Sequence, residues 1–409
     1  AMYAAKQAGK NRYHLFDPEL DRQIQAHREK LARLKQAMAE GELVMHYQPK
    51  VNLRTGAIIG MEALIRWQHP TLGLLPPSDF LPLVIGHAFE HQLGDWVINQ
   101  VLMQSVQWQA LDLELVVSAN ISASHLLNGQ FSQNLARALA THPEVIPQRL
   151  ELEILETAAI GDMESASQVL HRCRALGVRF ALDDFGTGYS SLSYFRNLPV
   201  DMIKIDQSFV RDMLEDPDDL SIVDSVLRLA QAFNRPVIAE GVETMAHGIA
   251  LLQLGCTLAQ GYGVAHPMSA EKVPGWMAQW QTDVVWKTLD HSYLGRDLAL
   301  SVVTRSHLNW VASVLHLLDK GTELPGAEPN ISPCALGRWL AGSGAAAYGD
   351  SPHYPPVCQL HDHVHELANR LLFSLKTPQA QETDRLRLAM ETASTELLEQ
   401  LEQLMQPKA

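Results

Sequence analysis

Residues 181–192 read ALDDFGTGYSSL: an apolar run ends in two adjacent carboxylates, Asp183 and Asp184, and passes at once into Gly186 and Gly188. Unpaired acids at the end of a buried strand oppose folding, because charge is expensive to remove from water. They make sense where one carboxylate can bridge two cations while its neighbour serves the second, with the glycines allowing a tight loop. The pattern recurs outward along the chain. Between Leu43 and Met268, eight strand-like runs alternate with longer helical patterns: LVMHYQPKV, IIGMEALIRW, LVVSANIS, LELEILE, RFALDD, DMIKID, PVIAE and LAQGYGV. That alternation is the signature of βαβ units and a parallel sheet, and the number suits a (β/α)8 TIM-like barrel. Most of the runs carry a polar residue towards their end, and barrel strand ends converge on one mouth. Glu62, Asn120, Glu153, Asp183, Asp184, Lys204, Glu240 and Gln260 would therefore meet at one site.

Composition limits what such a site can serve. A chain of 409 residues, 46% of them hydrophobic, exceeds one ordinary core and implies a multidomain, soluble α/β protein. The formal net charge of −14 argues against nucleic acid polymers and anionic membranes as partners, though a small anionic ligand could bind through metal. The four cysteines, Cys173, Cys256, Cys334 and Cys358, are too sparse for a disulfide framework. They fit a reducing, cytoplasmic setting. No apolar run reaches the length of a membrane span, and the start at Ala1-Met2, without a signal peptide, reads as the middle of a longer protein.

Carboxylates gathered at one mouth would repel each other and take up protons without a counter-charge. An oxygen-rich set with one amide and neither His nor Cys suits Mg²⁺ or Mn²⁺ rather than zinc. A pair of such ions can activate a water and stabilise the leaving oxygen of a phosphodiester. Lys204 could orient that water or deprotonate it. Asp206 in the KID triplet and Asp201 before it read as loop and capping residues.

These residues resemble the EAL-type cyclic di-GMP phosphodiesterases over roughly residues 40–285. The matching blocks are YQP (47–49), MEALIRW (61–67), SANIS (118–122), ELEILE (151–156), DDFGTGYSSL (183–192), KID (204–206), AEGVE (239–243) and QGY (260–262). The resemblance implies hydrolysis of cyclic di-GMP to linear pGpG, with Glu62, Asn120, Glu153, Asp183, Asp184 and Glu240 as metal ligands. It implies that Lys204 holds the nucleophilic water while Glu243 and Gln260 support the site. Arg66 resembles the arginine that grips a substrate phosphate, and Gln48 would line the guanine pocket. Glu156 would steady the DDFGTGYSSL loop, which in this family also links the site to a homodimer interface. Departures from the pattern are Leu155 for the usual Thr, Val84-Ile85-Gly86 where acids commonly stand, and QGYGVAHP at 260–267; none removes an implied ligand. Two other functions compete with the enzyme: a non-catalytic cyclic di-GMP receptor and a dimerisation scaffold for an upstream cyclase. The opening AMYAAKQAGKNRYHLFD resembles the last helix and strand of a GGDEF domain, so residues 1–17 read as its remnant and 18–40 as a linker helix.

After Trp286 strand signals stop, and the segment 286–409 reads as an all-α bundle following the barrel of 41–285. His307 lies on a stripe with Leu300, Val303, Val311, Val314 and Leu318. His361 and His365 stand one helical turn apart. Cys334 follows Ser332-Pro333, a plausible cap and first helical residue, which places its sulfur near the helix-end dipole that favours thiolate. Three imidazoles and one thiolate complete a tetrahedral Zn²⁺ site. The segment from about 295 to 390 resembles the CZB zinc-binding domain, on His307 with Trp310, CALGRWL (334–340) and the His361/His365 pair. Zinc occupancy of this bundle would then control the phosphodiesterase.

Overall fold

The structure, a computed structural model, describes residues 18–156, 163–187, 198–288, 334–374 and 380–405, together with Arg196 and single helical positions between 300 and 315. The reading of 1–17 as a domain remnant lies outside the described residues. Helix α1 (Pro18–Ala39) buries Leu31, Leu34 and Ala37 at helical spacing, so the connecting helix packs onto the barrel core rather than standing free.

Strand β1 (Leu43–Asn52) turns back through a tight loop in which the Asn52 carboxamide oxygen accepts from the backbone N–H groups of Arg54 and Thr55, at 3.0 Å each. The chain then enters β2 (Ile58–His69), followed by β3 (Gly73–Leu75) and α2 (Phe89–Gln109). From there strands and helices alternate: β4 (Val117–Ile121), α3 (Phe131–Thr141), β5 (Leu150–Leu155), α4 (Met163–Ala175), β6 (Arg179–Phe185) and β7 (Met202–Ile205). Next come α5 (Gln207–Asp212), α6 (Pro217–Ala232), β8 (Val237–Ala239), α7 (Met245–Gln253) and β9 (Leu258–Ala259). Strand β10 (Met268–Ser269) pairs with β1 at His46 and Tyr47, and α8 (Val273–Gln279) and α9 (Val284–Thr288) follow.

The eight expected strands are all present and close into a barrel in the order β1, β9, β8, β7, β6, β5, β4, β2 and back to β1. One expectation needs correction. β2 and β4 to β9 are parallel, but β1 is antiparallel to both β2 and β9. The loop between β1 and β2 is too short for the crossover that parallel neighbours need, so a hairpin is the geometry available. β1 therefore starts at the mouth, with Leu43 opposite Trp67, and ends at the base, with Asn52 opposite Leu258.

Beyond the barrel lie α10 (Ala335–Trp339), α11 (Tyr354–Ser374) and α12 (Ala380–Met405). Leu336, Trp339, Val364, Leu371, Met390 and Leu397 belong to a second apolar cluster, separate from that of the barrel. Buried Trp286 and Val302 pack in the barrel's cluster, the Trp286 indole donating to the Met245 carbonyl. The two regions also touch through Arg338 of α10, whose guanidinium donates to both oxygens of Asp218 in α6 (3.0 and 3.1 Å).

Candidate active site and metal centres

Inward-facing positions two residues apart on neighbouring strands build the barrel site in layers. In the upper layer the Lys204 ammonium, on β7 and 1% exposed, sits among carboxylates: Glu153 at 2.5 Å, Glu240 at 2.6 Å, Asp183 at 3.1 Å and Glu62 at 3.7 Å. Burial opposes its charge, but Glu153, Glu240, Glu62 and Asp183 together push its pKa up, so it is a cation.

On one side of Lys204, the Asn120 amide donates to Glu62 Oε1 (2.7 Å), and Gln260 Nε2 donates to Glu62 Oε2 (2.6 Å) and to Gln48 Oε1 (3.0 Å). Gln48 in turn donates to the Ala265 carbonyl. Its amide is thus committed on both ends. On the other side, ligand atoms of Asp183, Asp184 and Glu240 all lie within 4.8 Å of one another. Consecutive side chains of a regular strand face opposite ways. Here the β6–β7 register shifts after Leu182 and Asp184 takes φ +54°, which turns its carboxylate to the same side as that of Asp183. Asp tolerates this region better than most residues. Beyond the bulge, buried Glu156 accepts from the Gly186 N–H at 3.0 Å and so holds the first turn of the loop. The rest of that loop, 188–195, lies outside the described residues.

The surroundings of these acids disfavour their charged forms unless a cation joins them. Burial, then Glu153, raises Glu62 to about 7; burial, then Asp183 and a hydrogen bond shared with Asp206, raises Asp184 to about 7. Burial also raises Asp183 and Glu240. Glu153 differs, for burial is outweighed by Lys204 and Lys50, which hold it near 2. The Gln260 Oε1 atom is buried with no donor among the described residues, an acceptor left open to a ligand or its water. Carboxylates short of counter-charge and lined up on one face fit divalent metal.

Arg66 lies half-buried at the rim within electrostatic reach of Tyr262 and Glu62. Glu243 stands apart from this group. It is exposed, its backbone N–H meeting His247, and none of the described contacts joins its carboxylate to the cluster. Asp201 and Asp206 serve structural ends: Asp201 accepts from Arg174 and the Phe180 N–H, and Asp206 caps α5 through the Ser208 N–H.

In the helical region, Cys334 Sγ lies 2.9 Å from His361 Nε2, 3.2 Å from His365 Nε2 and 3.7 Å from His307 Nδ1. Cys334 is itself the N-cap of α10, accepting from the Gly337 N–H, whereas Ser332 and Pro333 lie outside the described residues. Burial and mutual repulsion lower His307 to about 3 and His365 to about 4, and burial also lowers His361, so all three rings are neutral with lone pairs free. The thiol is not preset as thiolate. Burial raises it despite the Gly337 and Leu336 N–H groups and Arg338. A cation must draw off that proton, and the donor set is the one zinc takes. Gly337 leaves room for it, since a Cβ there would stand 3.0 Å from His361 Cε1. His363 is exposed, and His316 lies outside the described residues.

The profile of the EAL domain matches residues 31–267, more than half of the chain. The chain belongs to the EAL domain family. A second profile, the chemoreceptor zinc-binding domain, matches residues 307–372. The EAL barrel is similar to the bifunctional diguanylate cyclase/cyclic di-GMP phosphodiesterase MucR of Pseudomonas aeruginosa, 38% identical over 276 residues (67% of this chain, 40% of that protein). It is also 38% identical over 277 residues to the cyclic di-GMP phosphodiesterase PdeR of Escherichia coli (68% and 42%). The chain thus spans under half the length of these curated relatives. Among solved structures, the MucR phosphodiesterase in complex with c-di-GMP aligns at TM-score 0.58 and 38% identity, covering 60% of this chain and 99% of that one. The EAL enzyme Bd1971 bound to cAMP and cyclic di-GMP aligns at 0.58 and 33% identity (64% and 70%).

The EAL barrel also contains buried polar and charged residues that sequence reasoning passed over. Lys50, Ser118 and Glu151 form a buried layer beneath Gln48, Asn120 and Glu153. The signal was the period of two: each stands two positions from a residue already assigned to the interior.

Proposed function

We propose that the EAL barrel hydrolyses cyclic di-GMP to linear pGpG, one P–O3′ bond breaking as a water oxygen joins phosphorus and the 3′ oxygen leaves with a proton. The observation that carries this reading is the set of Asp183, Asp184 and Glu240 donors within 4.8 Å, facing Lys204 and Glu62 at one barrel mouth. Glu62, Asn120, Glu153, Asp183, Asp184 and Glu240 would hold a pair of Mg²⁺ or Mn²⁺ ions, which when bound supply an activated water and charge relief on the leaving oxygen. Lys204 orients the water from the floor. Arg66 offers a cation to a phosphate at the rim, and Gln260 fixes Glu62 through its amide N–H. Gln48 shapes the base pocket through its link to Ala265. The similarity to proteins named cyclic di-GMP phosphodiesterases selects this substrate.

Zinc at His307, Cys334, His361 and His365 regulates turnover in this reading, and the chain works as a cytoplasmic homodimer. No helix among the described residues is long and apolar enough to cross a membrane, and the four cysteines are free. The zinc signal has a physical route. Arg338, one turn after Cys334, grips Asp218; Ile222, one turn after Asp218, packs with Phe209 against Gly186 of the active-site loop. Residues 1–17 retain the reading of a cyclase-domain remnant, on their sequence likeness alone.

The test is Mg²⁺-dependent pGpG release by the wild type and by Glu62→Ala. Release by the wild type, reduced about a hundredfold or more by the substitution, is expected for an enzyme that loses a metal ligand. Nucleotide binding without release would instead identify a receptor, and neither binding nor release a scaffold.

A further inference from the structure

We propose that Lys50 is a positioning residue of the barrel's metal site, gripping Glu153 from the base side so that this carboxylate meets the mouth in one fixed orientation. The proposal rests on the metal-dependent reading above. Lys50 is 2% exposed on β1, and its ammonium reaches Glu151 Oε1 (2.5 Å), Ser118 Oγ (3.0 Å) and Glu153 Oε1 (3.3 Å). The other oxygen of Glu153 belongs to Lys204, at 2.5 Å. Glu153 is therefore spanned between two buried ammonium groups. It could not rotate without abandoning one of them.

Barrel interiors at this depth are usually filled by branched apolar residues, which pack at no desolvation cost. A buried Lys–Glu pair is on average no more stabilising than an apolar pair of equal volume. Stability alone therefore does not explain charge in this layer. Gly60, directly opposite Lys50 in the hairpin register, also brings no side chain to compete for the space. The alternative is that Lys50 merely neutralises Glu151, and the two roles separate experimentally.

The experiment uses the full chain and reads Mn²⁺ binding calorimetrically, counting only the heat that Asp183→Asn abolishes, alongside thermal melting and Zn²⁺ content. Lys50→Met with Glu151→Met removes the pair together and should keep the melting temperature and zinc. Its Mn²⁺ affinity should nevertheless fall about tenfold or more, with kcat for cyclic di-GMP lowered more than KM changes. Glu151→Gln alone keeps Lys50 on Glu153 and should bind Mn²⁺ as the wild type does. Wild-type affinity in the double variant overturns the proposal. So does a tenfold or greater loss of Mn²⁺ affinity in Glu151→Gln measured against the wild type, a result that counts even if the double variant does not fold. A wild type that binds no Mn²⁺ through Asp183 would instead sink the metal-dependent function itself.

Discussion

At Asp184 a single left-handed residue does work that a regular strand cannot, bringing two neighbouring carboxylates to one side. Asn adopts that backbone region about as readily as Asp, while Ala does not. Asp184→Asn should therefore stay within about 0.5 kcal/mol of wild-type stability in the absence of metal while losing roughly a hundredfold or more in metal-dependent turnover. Chemical denaturation and product release read the two effects separately. The doublet itself was legible, because paired acids at a strand end are rare without a purpose. Its geometry was not, since a bulge depends on the partner strand. At the zinc site the sign of the pH dependence follows from one proton. Burial raises Cys334, so the metal-free thiol is protonated at neutral pH, while His307 near 3 and His365 near 4 carry no proton to displace. Zinc affinity should then rise about tenfold per pH unit between roughly pH 6 and 8. Competition titrations across that range check it, and a flat profile would contradict it.

Elements show where local pattern stops being informative. The eight strands announced themselves as apolar runs, yet nothing in LVMHYQPKV states its direction; only the short NLRTGA connection (52–57) excluded a parallel partner. In the helical region the CALGRWL turn was readable as a ligand-bearing helix, but the need for Gly337 was not, because the crowding comes from His361 on α11. Gly337→Ala carries two opposed effects. It gains up to about 1 kcal/mol of helix propensity in the metal-free chain. The added methyl presses on His361, which offsets part of that gain and should lower zinc affinity several-fold. Calorimetry with and without zinc separates the two.

Across the whole molecule, the barrel and the helical region meet at Arg338 and Asp218, positions separated by 120 residues and invisible to any local reading. Both side chains are largely exposed, so the bridge itself contributes under about 1 kcal/mol. Asp218→Ala should accordingly leave folding and the zinc-loaded rate nearly unchanged while abolishing the difference between zinc-loaded and zinc-depleted turnover, with Mg²⁺ held constant. If the difference persists, zinc acts by another route.

The reversed first strand has a mechanical consequence. In an all-parallel barrel, whatever precedes the first strand joins at the floor, a barrel's height from the chemistry. Here α1 hands over to β1 beside Trp67, where the Glu42 carboxylate takes both the Arg33 guanidinium and the Trp67 indole N–H, one residue from Arg66. Torque travelling down that helix would be delivered at the barrel mouth, where the proposed substrate would enter, with Arg66 as the first part to feel it.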